Sequence, residues 1–283
     1  MRRPIVRLSS LQLTNIKNVK KGTIYMPNTV NKILSADKAE ILGIYGQNGS
    51  GKTAIVDALY FLQKVMIGVD LDQSLEDYMD MDSDTAEIFA DFNIFMDDIV
   101  FEIGYRLSLS REEKEVVISR ETLSAAKNEN GIRTNKTVFM DYQRDQSNAI
   151  FKPQKRLDEI LEENKEIKTD LIVARKMAEK SNCSYIFGES SREIFCREYK
   201  NGFQQFSVII SSLFEFALKD LFVIRNTHSG VISANFVLPM AFRIENDSIG
   251  AKGDFAVSLT EPILVDEERK NLLETIVEQI NIV

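Results

Sequence analysis

Apolar positions recur every second residue through much of the first half of the chain, the period of strands with one buried face. Val6 to Leu13 alternates in this way. A polar turn over Thr14–Lys20 follows, and Gly22–Met26 reads as a second strand stopped by Pro27. Asn28 to Lys38 is polar and predicts a loop. The short apolar run Ile41-Leu42-Gly43-Ile44-Tyr45 then predicts a buried parallel strand. After it the period changes, with Ile55, Val56, Leu59, Leu62 and Met66 at helical spacing from about Lys52. Leu71–Ser83 reads as a short helix and turn. Alternation returns over Ala86–Phe95, Ile99–Leu109 and Val116–Leu123, joined by turns at Asp97-Asp98 and Ser110–Lys114, which predicts an antiparallel meander. Thr137–Tyr142 adds a short strand.

Beyond Pro153 the chain turns helical. Leu157, Ile160, Leu161, Ile167, Leu171, Val173 and Met177 form the stripe of one helix ending near Glu179. A second spans Gly202–Asp220, and a third Glu267–Ile280. The expected fold class is α/β, a mixed sheet with an antiparallel meander in residues 1–150 and a mainly helical part in 151–283.

Composition narrows the setting. A chain of 283 residues with 44% hydrophobic and 28% charged positions has the make-up of a globular protein with a real core. Two distant cysteines, Cys183 and Cys196, and a single histidine, His228, give no disulfide framework or zinc cluster. Met1-Arg2-Arg3 is not followed by an apolar core, and no run approaches the roughly 18 apolar residues of a membrane span. No membrane partner and a cytoplasmic location are therefore expected. The net charge of −8 is local: Val65 to Tyr105 carries twelve acids and no Lys or Arg, and the remainder has 31 acids against 35 bases. Such a block reads as a solvated helix end and loop.

The chemistry concentrates at Gly46-Gln47-Asn48-Gly49-Ser50-Gly51-Lys52-Thr53, which fits G-x-x-x-x-G-K-[ST] between a predicted strand and a predicted helix. Three glycines let backbone N–H groups wrap a triphosphate, and the helix N-terminus, with Ala54 in its first turn, adds a favourable dipole. Lys52 is expected to reach the β- and γ-phosphates and the Thr53 hydroxyl to ligate Mg²⁺. ATP and Mg²⁺ are the expected cofactors.

Leu11-Gln12-Leu13-Thr14-Asn15-Ile16-Lys17-Asn18, this loop, and Val56-Asp57-Ala58-Leu59 behind it resemble the N-terminal lobe of ABC-type ATPases, the group of RecF, SMC and OLD-nuclease proteins. With Glu121-Thr122-Leu123 closing the meander, the likeness is nearest to bacterial abortive-infection (AbiL-like) AAA family ATPases. It covers about the first 145 residues well. The resemblance implies a P-loop NTPase lobe of ABC-ATPase type plus a helical insert, with ATP held between two subunits. It also implies Asn15 and Lys17 near the base or ribose, and a catalytic glutamine after the meander, where Gln143 and Gln146 stand.

Several departures from that family are visible. No L-S-x-G-like signature is found. Two runs imitate the aspartate-bearing strand of these ATPases: Asn93–Asp98, inside the meander, and Ile263-Leu264-Val265-Asp266-Glu267, where Asp266 reads equally as a helix N-cap. The expected partners are a second copy or a C-terminal ATPase half supplied elsewhere, and an effector nuclease. Hydrolysis by this chain alone is expected to be slow. Four functions stay open: ATP-driven association controlling an anti-phage effector, a RecF/SMC-type DNA ATPase, another P-loop enzyme, and a non-catalytic nucleotide sensor. The basic residues Lys165, Lys168, Arg175, Lys176 and Lys180 alternate with acids and do not by themselves support DNA. Asn135-Lys136-Thr137-Val138 fails the guanine-reading N-K-x-D pattern.

Overall fold

The computed structural model describes residues 3–71, 73–112, 115–144, 165–196, 204–226, 231–235 and 255–258. Chain contacts divide it into two units, Met1–Leu221 and Phe222–Val283.

The first unit is built on one curled antiparallel sheet. Strands β1 (Ile5–Ile16) and β2 (Val19–Tyr25) form a hairpin, and β3 (Thr85–Met96), β4 (Ile99–Glu112) and β5 (Glu115–Glu129) form the meander. The order is β2-β1-β3-β4-β5, and the short β6 (Ile132–Arg133) and β7 (Thr137–Gln143) share the outer side of β5. One face is buried with period two. On β3 it carries Ala86, Ile88, Ala90, Phe92 and Ile94; on β4, Phe101, Ile103, Tyr105, Leu107 and Leu109. That regularity is why the sequence pattern located these strands.

Helices cover the buried face. A single turn, α1 (Pro27–Val30), follows β2, and the main helix α2 spans Lys52–Met66. A 3₁₀ segment, Gln73–Tyr78, lies where a short helix was expected. Phe61 of α2 stacks on Tyr78 at 4.9 Å between ring centroids. Helices α3 (Lys165–Ser181), α4 (Glu189–Cys196) and α5 (Gln204–Glu215) follow, and α5 runs into a π-helical turn, Phe216–Asp220. Phe216 meets Phe92, Phe206 stacks on Phe139, and Phe187 meets Tyr105 edge-on, so the helices pack along several strands.

Three expectations need correction. Ile41–Tyr45 forms no strand: it has no regular secondary structure and takes part in no described strand pair, with Ile41 92% and Tyr45 94% exposed. Apolar composition reports that a segment prefers burial, but a strand also needs a neighbour with free backbone groups. No described strand pairs with this segment. Likewise every strand pair described is antiparallel, so the mixed sheet is reduced to its meander part. In α3 the buried stripe is Ile167, Leu171, Ala174 and Ala178, leaving Val173 and Met177 half exposed. The alanines sit on the packed side, and Arg175 lies over the Tyr142 ring beside them. Residues 157–161, His228, the run 263–267 and the last predicted helix lie outside the described residues.

The second unit contains a three-stranded antiparallel sheet of β8 (Val223–Asn226), β9 (Val231–Asn235) and β10 (Phe255–Ser258), with β9 in the middle. Among the described residues no helix is long and apolar enough to cross a membrane.

Candidate functional site

Helix α2 starts at Lys52 behind Gly51, which sits at φ 88° and offers no side-chain cap. The first-turn N–H groups of α2 therefore have no N-cap side chain to bond, and they form the positive end of the helix. Gly49 has φ 84°, a conformation costly for any residue with a Cβ. Gly51 is constrained twice, since a Cβ there would lie 2.5 Å from Val19 Cγ2. A Cβ on Gly46 would lie 2.6 Å from Ser50 Oγ. The glycine spacing thus answers local geometry at each position.

The Lys52 ammonium folds back over the loop and donates to the carbonyls of Gly46 and Gln47, both at 2.7 Å. Ser50 N–H donates to the Gln47 carbonyl at 3.2 Å, closing the turn. Residues 46–50 are exposed, Thr53 is exposed at the helix start, and Ala54 is buried beneath it. The structure therefore brings together Gly46, Gln47, Asn48, Gly49, Ser50, Gly51, Lys52, Thr53 and Ala54 as one surface loop against one helix end. Among the described residues no three His, Cys, Asp or Glu side chains cluster to hold a metal. A divalent ion at this loop would thus combine the Thr53 hydroxyl with phosphate and water oxygens, a donor set that suits Mg²⁺.

Gln143 is not brought to the loop. The strand registers run Thr14–Glu87–Ser108–Arg120–Gln143, four strand steps or about 19 Å across the sheet at ~4.8 Å each. Its side chain approaches Asp141 at 3.5 Å, and its carbonyl accepts from Arg175 at 2.6 Å. Gln146 lies outside the described residues. The Asp97-Asp98 turn is further away: Phe95 pairs with Ile5, at the end of β1 remote from the loop, about 37 Å along the strand at ~3.4 Å per residue. Arg175 also donates to the Arg144 carbonyl and pairs with Glu179, so this member of the basic series is engaged inside the fold.

Asn15 and Lys17 sit at the end of β1 and face the protein. The Asn15 amide donates to the Thr85 carbonyl at 2.9 Å. Lys17 pairs with Asp57, a buried carboxylate in the second turn of α2. The residues that reach the loop itself, Asn18 and Val19, were not singled out by sequence reasoning. Asn18 donates its side-chain amide to the Gly49 carbonyl, and Val19 fills the space over Gly51. The signal was present as a polar turn between two predicted strands, but nothing in a linear pattern says which loop that turn will meet.

A glycine-shaped loop with its lysine, opening a helix that packs on a sheet, has the local geometry of a phosphate-binding loop. In agreement, residues 41–170 match the family described as "AAA domain, putative AbiEii toxin, Type IV TA system", a family of P-loop NTPases. The match runs from the extended segment before the loop, through the meander, into α3. No curated protein matches the chain.

Proposed function

We propose that this chain binds ATP with Mg²⁺ at Gly46–Thr53 and uses nucleotide-driven association, with a second copy or with a separate ATPase half, to control a toxic or abortive-infection effector. The observation that carries the nucleotide reading is the loop itself, with Gly49 and Gly51 at positive φ and the Lys52 ammonium within hydrogen-bond reach of Gly46, Gln47 and Ser50. The matching family's description, which names a toxin of a type IV toxin–antitoxin system, supports that setting over DNA repair.

In this reading the N–H groups from Gly49 to Thr53 hold the β-phosphate, and Lys52 exchanges its contacts with the Gly46 and Gln47 carbonyls for the β- and γ-phosphates. Thr53 supplies its hydroxyl to Mg²⁺, which when bound neutralises charge on the phosphate oxygens. Ala54, buried in the first turn of α2, adds its backbone N–H to the positive helix end that faces the phosphates. Gln143 is kept outside this reading, since its described contacts are with Asp141 and Arg175 and not with the loop.

The test is a fluorescence titration of a labelled ATP analogue with wild type and Lys52→Ala. Loss of a charge-assisted contact to phosphate predicts affinity reduced at least tenfold, corresponding to about 1.5–3 kcal/mol. Equal affinity in the two proteins overturns the reading.

A further inference from the structure

The β1–β2 turn touches the phosphate loop and its helix at three points. Lys17 pairs with buried Asp57 on α2, Asn18 donates to the Gly49 carbonyl, and Val19 packs over Gly51. The turn itself is well fixed. Ile16 is fully buried and bridges to Met79. The N–H of Lys17 donates to the Tyr78 carbonyl and that of Asp80 to the Asn15 carbonyl, both at 2.9 Å. Lys20 closes the far side by pairing with Asp80 at 2.6 Å.

Gly49 is the position where such support matters. Without a Cβ the backbone of Gly49 is little restricted in ψ as well as in φ, so the Gly49–Ser50 peptide plane can turn over. In the orientation seen, the Ser50 N–H closes the turn onto the Gln47 carbonyl at 3.2 Å and the Gly49 carbonyl meets Asn18. The other turns the Gly49 carbonyl toward the cradle, where the oxygen would repel phosphate. A donor fixed to the sheet and bonded to that carbonyl selects between the two.

We propose that Asn18 is a positioning residue for the phosphate loop: its amide tethers the Gly49 carbonyl and so keeps that oxygen out of the space where the loop would receive a nucleotide phosphate. The Lys17–Asp57 pair and Val19 hold the same turn against the start of α2. This inference rests on the reading of the loop as a nucleotide site, and it assigns Asn18 no contact with the nucleotide. Preorganisation of this kind raises affinity by removing an ordering step from binding. Because the contribution falls on the part of the loop that meets the β-phosphate, ATP and ADP are affected alike.

Asn18 is exposed, so its substitution leaves the core untouched. The experiment compares wild type, Asn18→Ala and Asn18→Asp for ATP and ADP affinity, for melting temperature without nucleotide, and for amide exchange of Ser50 in the nucleotide-free protein. Asn18→Ala is expected to weaken both nucleotides about tenfold, as for one lost hydrogen bond, with an unchanged melting temperature and faster Ser50 exchange. Asn18→Asp keeps the shape but loses the donor, and should do at least as badly. Unchanged affinity with wild type binding normally, or an affinity loss that merely follows a fall in melting temperature, overturns the tether. If wild type binds neither nucleotide, the nucleotide reading fails instead. Ser50 exchange then still decides the tether: faster exchange in Asn18→Ala supports it, and unchanged exchange removes it.

Discussion

Glu121 is wholly buried between the meander and the helices, and its carboxylate organises a segment far away in sequence. One oxygen accepts from Tyr105 Oη and from Ser184 Oγ, each at 2.6 Å, and the other accepts from the Tyr185 N–H at 2.6 Å. Burial pushes the carboxyl above its ordinary value of 4.5, against the downward pull of hydrogen bonds from Ser184, Tyr105, Tyr185 and Ile186. The Tyr105 hydroxyl is raised well above its ordinary range by the same burial and by the neighbouring carboxylate. A folded-state value above the unfolded one means that the native protein binds the extra proton. Glu121 therefore favours the fold most below pH 4.5 and loses that contribution as pH rises above it. In urea unfolding at a series of pH values, Glu121→Gln should show a flatter profile above pH 4.5 than wild type. Glu121→Ala strands three buried donors and opens a cavity, with an expected loss of about 3 kcal/mol. Matching profiles for wild type and Glu121→Gln would contradict this account.

Helix α2 carries the loop at one end, and it is secured at the other. Gln63, also buried, donates to the carbonyls of Ala217 at 2.9 Å and Leu221 at 2.6 Å. In the π-helical turn the Leu221 N–H bonds back to Phe216, and the side chain of Gln63 caps the carbonyls around it. Just past α2, Gly68 has φ 71° and lies directly under the Phe187 carbonyl, where a Cβ would collide. The loop that Glu121 holds is thus the one that rests on the end of α2. Gln63→Leu leaves two carbonyls near the π-turn without their donor, so stability should fall by about 1–3 kcal/mol. As Gln63 is far from the phosphate loop, nucleotide affinity should stay within about twofold of wild type once the protein is folded, a difference of under ~0.5 kcal/mol. Calorimetric melting and a nucleotide titration on the same sample check both halves.

Elements differed in how far their pattern revealed them, for physical reasons. The meander was legible because one sheet face is buried along its whole length, so Phe101, Ile103, Tyr105, Leu107 and Leu109 had to alternate. The glycine-rich turn at Gly46–Thr53 and the helix it opens were legible because two of its glycines occupy left-handed backbone conformations that disfavour a side chain. Ile41–Tyr45 misled because apolar content speaks of burial and says nothing about a pairing neighbour. In α3, Val173 and Met177 misled because small alanines took the packed side. The partners of Asn18, Lys17 and Glu121 were illegible because they lie 31, 40 and 63 residues away. The Glu121-Thr122-Leu123 run was noticed as a resemblance, but the latch it forms emerges only in three dimensions.

At the scale of the whole molecule, the phosphate loop, the long antiparallel sheet and helices α2 to α5 all belong to the first unit, as does the entire family match at residues 41–170. In the proposed function, recognition lies in the backbone of that unit and is directed at phosphate rather than at a base. Ligand specificity in thermal stability tests this most directly. A ligand present at a hundred times its Kd adds about 2.7 kcal/mol to stability, enough to raise the melting temperature by several degrees. With Mg²⁺ present, ATP and ADP should produce that shift in the wild-type chain, and AMP at the same concentration should leave the melting temperature unchanged. An AMP shift equal to that of ATP, or no shift with any of the three, would contradict the claim that a phosphate cradle at Gly46–Thr53 is the centre of this protein.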